Sequence, residues 1–312
     1  MSLPVNARVT VGIPVYNCEK YLPDAIRSVF AQTFASWQLL LLDDGSADRS
    51  FEIARSIRDP RVAAISDGAN RRLSYRLNQL AWMAQTEYLA RMDADDLMHP
   101  DRLATQLRFL DEHPKIDVVS SDAYTIDSNN RPIGLRVPRL RRVSPCAVMS
   151  PSFIIHPTVV ARTSWFRENP YWEGYERSED RELWCRAFAQ QRAKFARLAQ
   201  PLLFYREMGA GAAQKVLNSH RNELRTIRRH GPSLVGRRAT ALYIASVFVK
   251  SAVWRLSSWA GAEGALSRLR SRALTDRELR EAAGVIARIL WQPVPGLDDG
   301  GQQARGVNAD AA

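Results

Sequence analysis

The residues best suited to chemistry are the carboxylates of Arg91-Met92-Asp93-Ala94-Asp95-Asp96, three acids within four positions. Like charges this close repel one another unless a cation or hydrogen-bond donors sit among them. Carboxylate oxygens suit hard divalent cations, Mg2+ or Mn2+, which bind through one or two carboxylates together with substrate phosphates. Taken alone, so short a string is equally well explained as a solvated acidic loop. Two further acidic pairs stand out, Asp43-Asp44 ahead of Gly45-Ser46, and Glu179-Asp180 after Ser178. The second pair has the form of a helix start, with Ser178 as N-cap and two acids complementing the helix dipole.

Such acids need elements to hold them, and the pattern around them is that of an α/β domain. Val9 to Val15 reads as a buried strand, Pro23 sits where a helix begins, and Ile26, Val29 and Phe30 follow at helical spacing. Gln38 to Leu42, with its leucine run, is a second buried strand ending at Asp43. Arg61 to Ser66 and Tyr88 to Met92 read as further strands. Leu73, Leu77, Leu80 and Ala84 mark the helix between them, and Pro100-Asp101 opens another. The acids therefore fall just past strand ends, where open α/β sheets bind ligands. From Tyr124 to Tyr205 the pattern is irregular, with a turn at Ser128-Asn129-Asn130, a basic run Arg139 to Arg142 and a helix around Arg181 to Phe188.

The ordered motifs together are more specific than any one of them. Ile13-Pro14-Val15-Tyr16-Asn17, Asp43-Asp44-Gly45-Ser46, the Asp93 cluster followed by His99-Pro100-Asp101-Arg102-Leu103, His156-Pro157-Thr158, Glu179-Asp180 and Leu203-Phe204-Tyr205-Arg206 resemble the inverting, GT-A-fold glycosyltransferases of family 2. The resemblance covers roughly the first two-thirds of the chain. It implies a Rossmann-like nucleotide-sugar domain with a mixed central sheet and a nucleotide-sugar donor, UDP being the nucleotide the family favours. By the same resemblance, Pro14 and Tyr16 would wall the nucleobase, Asp44 would accept a hydrogen bond from it, and Asp43 would support that turn. Asp95 would be the metal ligand, Asp93 would reach the ribose or a metal-bound water, and His156 would lie near the donor. Asp180 would be the general base. Asp96 could join the metal site or cap the next helix, and Trp184 could be core or a platform for a sugar ring. One departure from the family pattern is Asn70-Arg71-Arg72, where a glycine is usual. Arginine lacks glycine's backbone freedom but can bind a diphosphate, so the donor loop is expected to differ in shape.

The whole chain has 312 residues, a net charge of +11 and 46% hydrophobic residues, a globular composition with enough length for a sizeable core. Its three cysteines, Cys18, Cys146 and Cys185, form neither a disulfide framework nor a zinc site, which fits a reducing, cytoplasmic compartment. The first residues contain no apolar leader pattern. Gly209 to Ala213 reads as a linker, dividing a catalytic domain over 1–208 from a basic helical region over 209–292, with a Gly/Asp-rich disordered tail over 293–312. Between Arg206 and Arg255 ten basic residues face only Glu207 and Glu223. The same region holds the apolar stretch Ala239 to Ala260, interrupted by Lys250 and Arg255, with Trp254 and Trp259 as candidate anchors. This composition suits a helix lying on an anionic membrane surface or, equally, a buried helical extension with a basic face. Charge alone would also allow nucleic acid, but no motif for it accompanies the charge. The acceptor expected on this reading is a saccharide or lipid-linked saccharide. Two alternatives carry other expectations: a nucleotidyltransferase, against which the missing glycine- and lysine-rich phosphate loop counts, and a non-catalytic scaffold that binds membrane or nucleic acid.

Overall fold

The computed structural model describes residues 6–138, 142–207, 212–259 and 271–298. Its frame is a nine-stranded mixed sheet. Strands β1 (Val9–Val15) and β2 (Trp37–Asp43) are buried almost throughout. They read as mostly apolar runs, with Thr10 and Gln38 hydrogen-bonded to each other, because both faces of the sheet are covered. Alternate side chains of β2 enter opposite layers, Leu39 and Leu41 one core, Leu40 and Leu42 the other. β1 pairs in parallel with β2 and with β4 (Tyr88–Arg91), and β2 with β3 (Val62–Ser66). The intervening helices are α1 (Leu22–Phe30), α2 (Ser50–Ser56) and α3 (Arg72–Met83), with Pro23 in the first turn of α1.

The second half mixes strand directions. It comprises β5 (Leu97–Met98), α4 (Arg102–Glu112), β6 (Val118–Ile126), β7 (Pro132–Arg136), α5 (Pro145–Val148), a 3-10 turn His156–Thr158, β8 (Val160–Arg162), α6 (Thr163–Glu168), α7 (Glu179–Ala189) and β9 (Phe195–Arg206). The strand order is β3-β2-β1-β4-β8-β6-β9-β5, with β7 added to β6. Short β8 runs antiparallel to both β4 and β6 and joins the two halves. Strands β6 and β9 are thus parallel to β1 and β4, and β5 and β7 are reversed like β8. The β6–β7 turn is where the sequence placed it. The Asp127 carboxylate accepts the Asn129 and Arg131 amides at 2.8 and 2.9 Å, and Asn130 takes a φ of 63°.

The C-terminal residues pack back in two places. Helix α8 (Ala212–Trp259) breaks at Gly236, whose φ of 81° and ψ of 161° are not helical, and lies against α5 and α7. Helix α9 (Asp276–Leu290) begins with a capping box between Thr275 and Glu278 and sets Ala282, Ile286 and Ile289 on Leu97, Ile126 and Phe204. Gly209 to Gly211 of the expected linker and Arg139 to Arg141 of the basic run lie outside the described residues, while Ala212 and Ala213 are helical. The expected disordered tail requires correction at its start. Residues 293–298 are packed, with Val294 buried in the main core, Pro295 O accepting the Arg58 amide and Asp298 paired with Arg27 at 2.6 Å. Val294, Leu297, the Pro295 carbonyl and the Asp298 carboxylate together hold a segment whose composition reads as loose. Residues 299–312 of that tail lie outside the described residues.

Candidate functional site

The candidate site lies at the carboxyl ends of β1, β2 and β4. Tyr16, one residue past β1, is 53% exposed, and Pro14 is half-buried within the strand. Asn17 ties this end to the next loop, its amide donating to Ser46 Oγ at 3.0 Å and its Oδ1 accepting the Ala47 amide at 2.8 Å. Asp43 accepts the Gly45 amide at 3.1 Å and the Ser66 hydroxyl at 2.7 Å, so it holds the turn. Gly45 takes a φ of 71°, and a Cβ there would lie 2.9 Å from the Ala69 carbonyl carbon, which leaves glycine as the fitting residue. Asp44 is buried and heavily committed. It accepts the Arg71 and Arg72 amides at 2.7 and 3.0 Å and Arg76 Nε at 2.9 Å. That leaves about one of a carboxylate's four acceptor positions for a ligand. At the departure from the family pattern, Arg72 adopts a φ of 73°, the backbone conformation a glycine would have taken without strain.

In the central cluster, one oxygen from each of Asp93, Asp95 and Asp96 lies within 4.8 Å of the others. Burial, and then the charge of Asp93, pushes the Asp95 carboxyl up to about 6. Asp96 is raised well above its ordinary range, first by burial. Its Oδ1 accepts the Arg206 amide at 2.8 Å, while Oδ2 is buried and unpartnered. Asp96 therefore ties the cluster to β9, and α4 starts without a side-chain cap from it. Two arginines organise the cluster. Arg206 donates from Nε to Asp95 O at 2.7 Å and from its other nitrogens to Asp127 O and Asn130 Oδ1, both at 2.6 Å. Arg91, only 4% exposed, meets Asp93 at 2.5 Å, and its Nε and Nη1 have no partner. Sequence reasoning gave neither arginine a role. The available signal was a charged residue closing an otherwise apolar strand, since a buried cation beside acids is seldom incidental.

The other acidic pair begins α7. Ser178 occupies the N-cap position with a φ of 62°, and its side chain makes no cap bond. Burial, and then the Asp180 charge, pushes Glu179 up to about 7; Asp180 is raised too, chiefly by burial, against the pull of the Arg181 amide at 2.7 Å. Arg91 and Asp93 both act on Glu179, which brings the two acidic clusters within electrostatic reach of each other. Behind the pair, buried Arg181 meets Glu223 of α8 at 2.5 Å, and fully buried Glu182 holds Arg186 at 3.0 Å and His230 of α8 at 3.3 Å. Trp184 is core, stacked on Trp165 with ring centroids 6.0 Å apart, so the sugar-platform alternative falls. His156 is also buried, shares a hydrogen bond of 2.8 Å with the Tyr171 hydroxyl, and is held neutral because burial pushes its pKa well down. Cys18, half-buried near the acids, has its thiol pushed up to about 12 by burial, so it is not a thiolate at neutral pH.

Comparison with solved structures gives the fold class first. Staphylococcus aureus TarS (residues 1–349, in complex with UDP-GlcNAc) superposes with a TM-score of 0.58 at 18% identity, over 77% of this chain and 71% of that one. The mannosyltransferase PcManGT from Pyrobaculum calidifontis, in complex with GDP-Man and Mn2+, gives 0.58 at 16% identity, over 91% and 85%. The fold is GT-A. A family model described as glycosyl transferase family 2 matches residues 10–174, and the chain belongs to that family of glycosyltransferases. EpsE of Bacillus subtilis (strain 168), which carries a glycosyltransferase name, is 32% identical over 191 residues, 59% of this chain and 67% of EpsE. An uncharacterized glycosyltransferase of Methanocaldococcus jannaschii is 28% identical over 208 residues, 64% and 70% of the respective chains. Membership of the family sets aside the nucleotidyltransferase and scaffold alternatives.

Proposed function

We propose that this glycosyltransferase moves a sugar, with inversion, from a nucleoside-diphosphate sugar, UDP being the favoured nucleotide, to a hydroxyl of a saccharide or lipid-linked saccharide. The observation that carries the reading is the pairing of a tight acidic cluster past β4 with a second acidic pair, raised by burial and within electrostatic reach of Arg91. Nucleotide sugars bound to the TarS and PcManGT structures support the donor class. In this reading residues 1–208 hold the chemistry, and 209–292 brace and place it.

Tyr16 and Pro14 offer the nucleobase a flat apolar wall, and Asp44, steadied by Asp43 beneath it, spends its remaining acceptor capacity on the base. Asp93 reaches the ribose or a metal-bound water, and His156 orients the donor side through Tyr171. The acid cluster fits a divalent cation, since it gathers three carboxylate oxygens and leaves Asp96 Oδ2 buried without a partner. Bound through Asp95, Mg2+ or Mn2+ would offset the charge of the departing diphosphate. Asp180 takes the acceptor proton as the hydroxyl oxygen bonds to the anomeric carbon and the bond to the diphosphate breaks from the opposite face. Its raised pKa makes it a stronger base than an ordinary aspartate, and Glu179 shares the proton load. The neutral thiol of Cys18 offers no competing nucleophile. This reading puts the protein in the cytoplasm, peripheral on an anionic membrane, where a lipid-linked acceptor would be found.

The test is thermal unfolding with UDP-GlcNAc, UDP-glucose and GDP-mannose, each with and without Mn2+. One donor at 100 times its dissociation constant should stabilise the protein by roughly 2.7 kcal/mol. Proton NMR of the glycoside then reads its anomeric configuration. Retained configuration, or no metal-dependent stabilisation by any donor, overturns the reading.

A further inference from the structure

Residues 237–259, the part of α8 beyond the Gly236 break, carry apolar side chains on both faces. The inner face is accounted for. Val247 is buried in the second core, Tyr243 donates to Cys146 O of α5, and Ser251 bonds His220 of the first half of α8. The outer face is not. Leu242 is 73% exposed, Phe248 56%, Val249 63%, Val253 44%, Leu256 65% and Trp259 88%. These six are half of the twelve large hydrophobic residues exposed in the described chain. At 100° per residue they fall in one arc of about 140°, opposite Val247, and exposed Ala241, Ala245 and Ala252 fill its gaps. Trp254, expected as an anchor, is half-buried on the inner side, so Trp259 is the tryptophan that faces out.

The geometry points to this outer face as the surface that docks the enzyme on an anionic lipid bilayer, with the helix lying in the interfacial plane. Charge identifies the occupant. Residues 237–259 contain Arg237, Arg238, Lys250 and Arg255 and no acid. Arg237 and Arg255 fall together just outside one edge of the apolar arc, Lys250 lies beyond the other edge, and Arg238 stands within the arc at its first turn, at the angle of Leu256. Long basic side chains there can bury their stems against acyl chains and leave their charged heads among phosphates. A second copy of this chain would bring the same basic residues face to face, which like-charge repulsion opposes. Ser219–Trp259 is long and apolar enough, by length and composition, to cross a membrane. The break at Gly236 and the inner-face bonds to α5 and to the first half of α8 keep it on the domain and favour an in-plane helix. This deepens the proposed function by assigning the surface that brings the site to a membrane-held acceptor.

Co-sedimentation of the full chain with vesicles of phosphatidylcholine, alone or mixed with phosphatidylglycerol, tests it without any activity measurement, so its failure leaves the transfer reaction untouched. Binding to the mixed vesicles alone, weakening with salt, is the expected result. The exposed-face variant Val249→Ser/Leu256→Ser/Trp259→Ser should lose binding while keeping its melting temperature. Arg238→Gln/Arg255→Gln should weaken it roughly 30-fold, at about 1 kcal/mol per charge near the surface. Binding indifferent to lipid charge and to both variants overturns the proposal. So does a stable dimer by analytical ultracentrifugation that the exposed-face variant converts to monomer.

Discussion

The two acidic clusters of the site are built in opposite ways. The Asp93, Asp95 and Asp96 cluster is gripped by guanidinium and backbone donors from Arg91 and Arg206, and still keeps an unpartnered buried oxygen. The Glu179 and Asp180 pair sits at a helix start with no side-chain cap and few donors, backed by buried ion pairs that lie behind it and do not touch it. Both are pushed toward protonation by burial, so the difference lies in the neighbours. A cluster held in fixed geometry with residual negative potential suits a cation, whereas a lightly solvated carboxylate with a raised pKa suits a proton.

The largest expected effect breaks the first cluster. Asp95→Asn should abolish turnover together with the metal-dependent part of nucleotide-sugar binding, and wild-type activity across a Mn2+ titration would show that this carboxylate is no ligand. Asp180→Asn should lower kcat by about 10²- to 10⁴-fold, the usual loss for a general base, with donor affinity and melting temperature unchanged. If both clusters served the cation, the two variants would lose donor binding alike.

pH separates the clusters further. The relevant carboxyls titrate high in the folded protein, Asp95 near 6 and Glu179 near 7, against ordinary values of 3.8 and 4.5. Their neutral forms therefore contribute stability that is fully present below the ordinary values and is lost as pH rises through about 6 and then 7. Calorimetry without metal should show the melting temperature falling over that window, and Mn2+ should remove only the part due to the Asp95 cluster. Mn2+ affinity measured by titration should weaken as pH falls below about 6, where protons compete for the same oxygens. The smallest effect concerns the helix start. Ser178→Ala should change stability by less than about 0.5 kcal/mol, because no cap bond is lost. A loss of about 1 kcal/mol in denaturant titration would restore the cap reading.

Much of the frame was legible from local pattern. Strands at Val9–Val15 and Trp37–Asp43, the helix opened by Pro23 and the acids at strand ends follow from apolar runs, turn residues and periodicity, which are properties of neighbours in the chain. The same local reading took Ser178 for a cap, because a serine before two acids has that form. Only the backbone's φ of 62° there shows that the side chain is aimed elsewhere. Trp184 and His156 were ambiguous for a related reason, since burial by Trp165, Tyr171 and their neighbours is decided by segments well separated in sequence.

What the sequence determined by itself was the identity and order of the candidate site's acids and the alternation that puts β2's leucines on two faces. Tertiary structure alone decided how those groups are charged and held. Arg206 reaches Asp95 and Asp96 across 111 and 110 residues, and Glu223 meets Arg181 across 42, pairings no local pattern encodes. Removing α8 would strand Arg181 and Glu182 without their partners from that helix, so α8 stabilises the segment that carries the acidic pair. The physical reason is that a carboxylate's proton affinity depends on the solvent and charge within a few ångströms, and in this fold those surroundings are assembled from opposite ends of the chain.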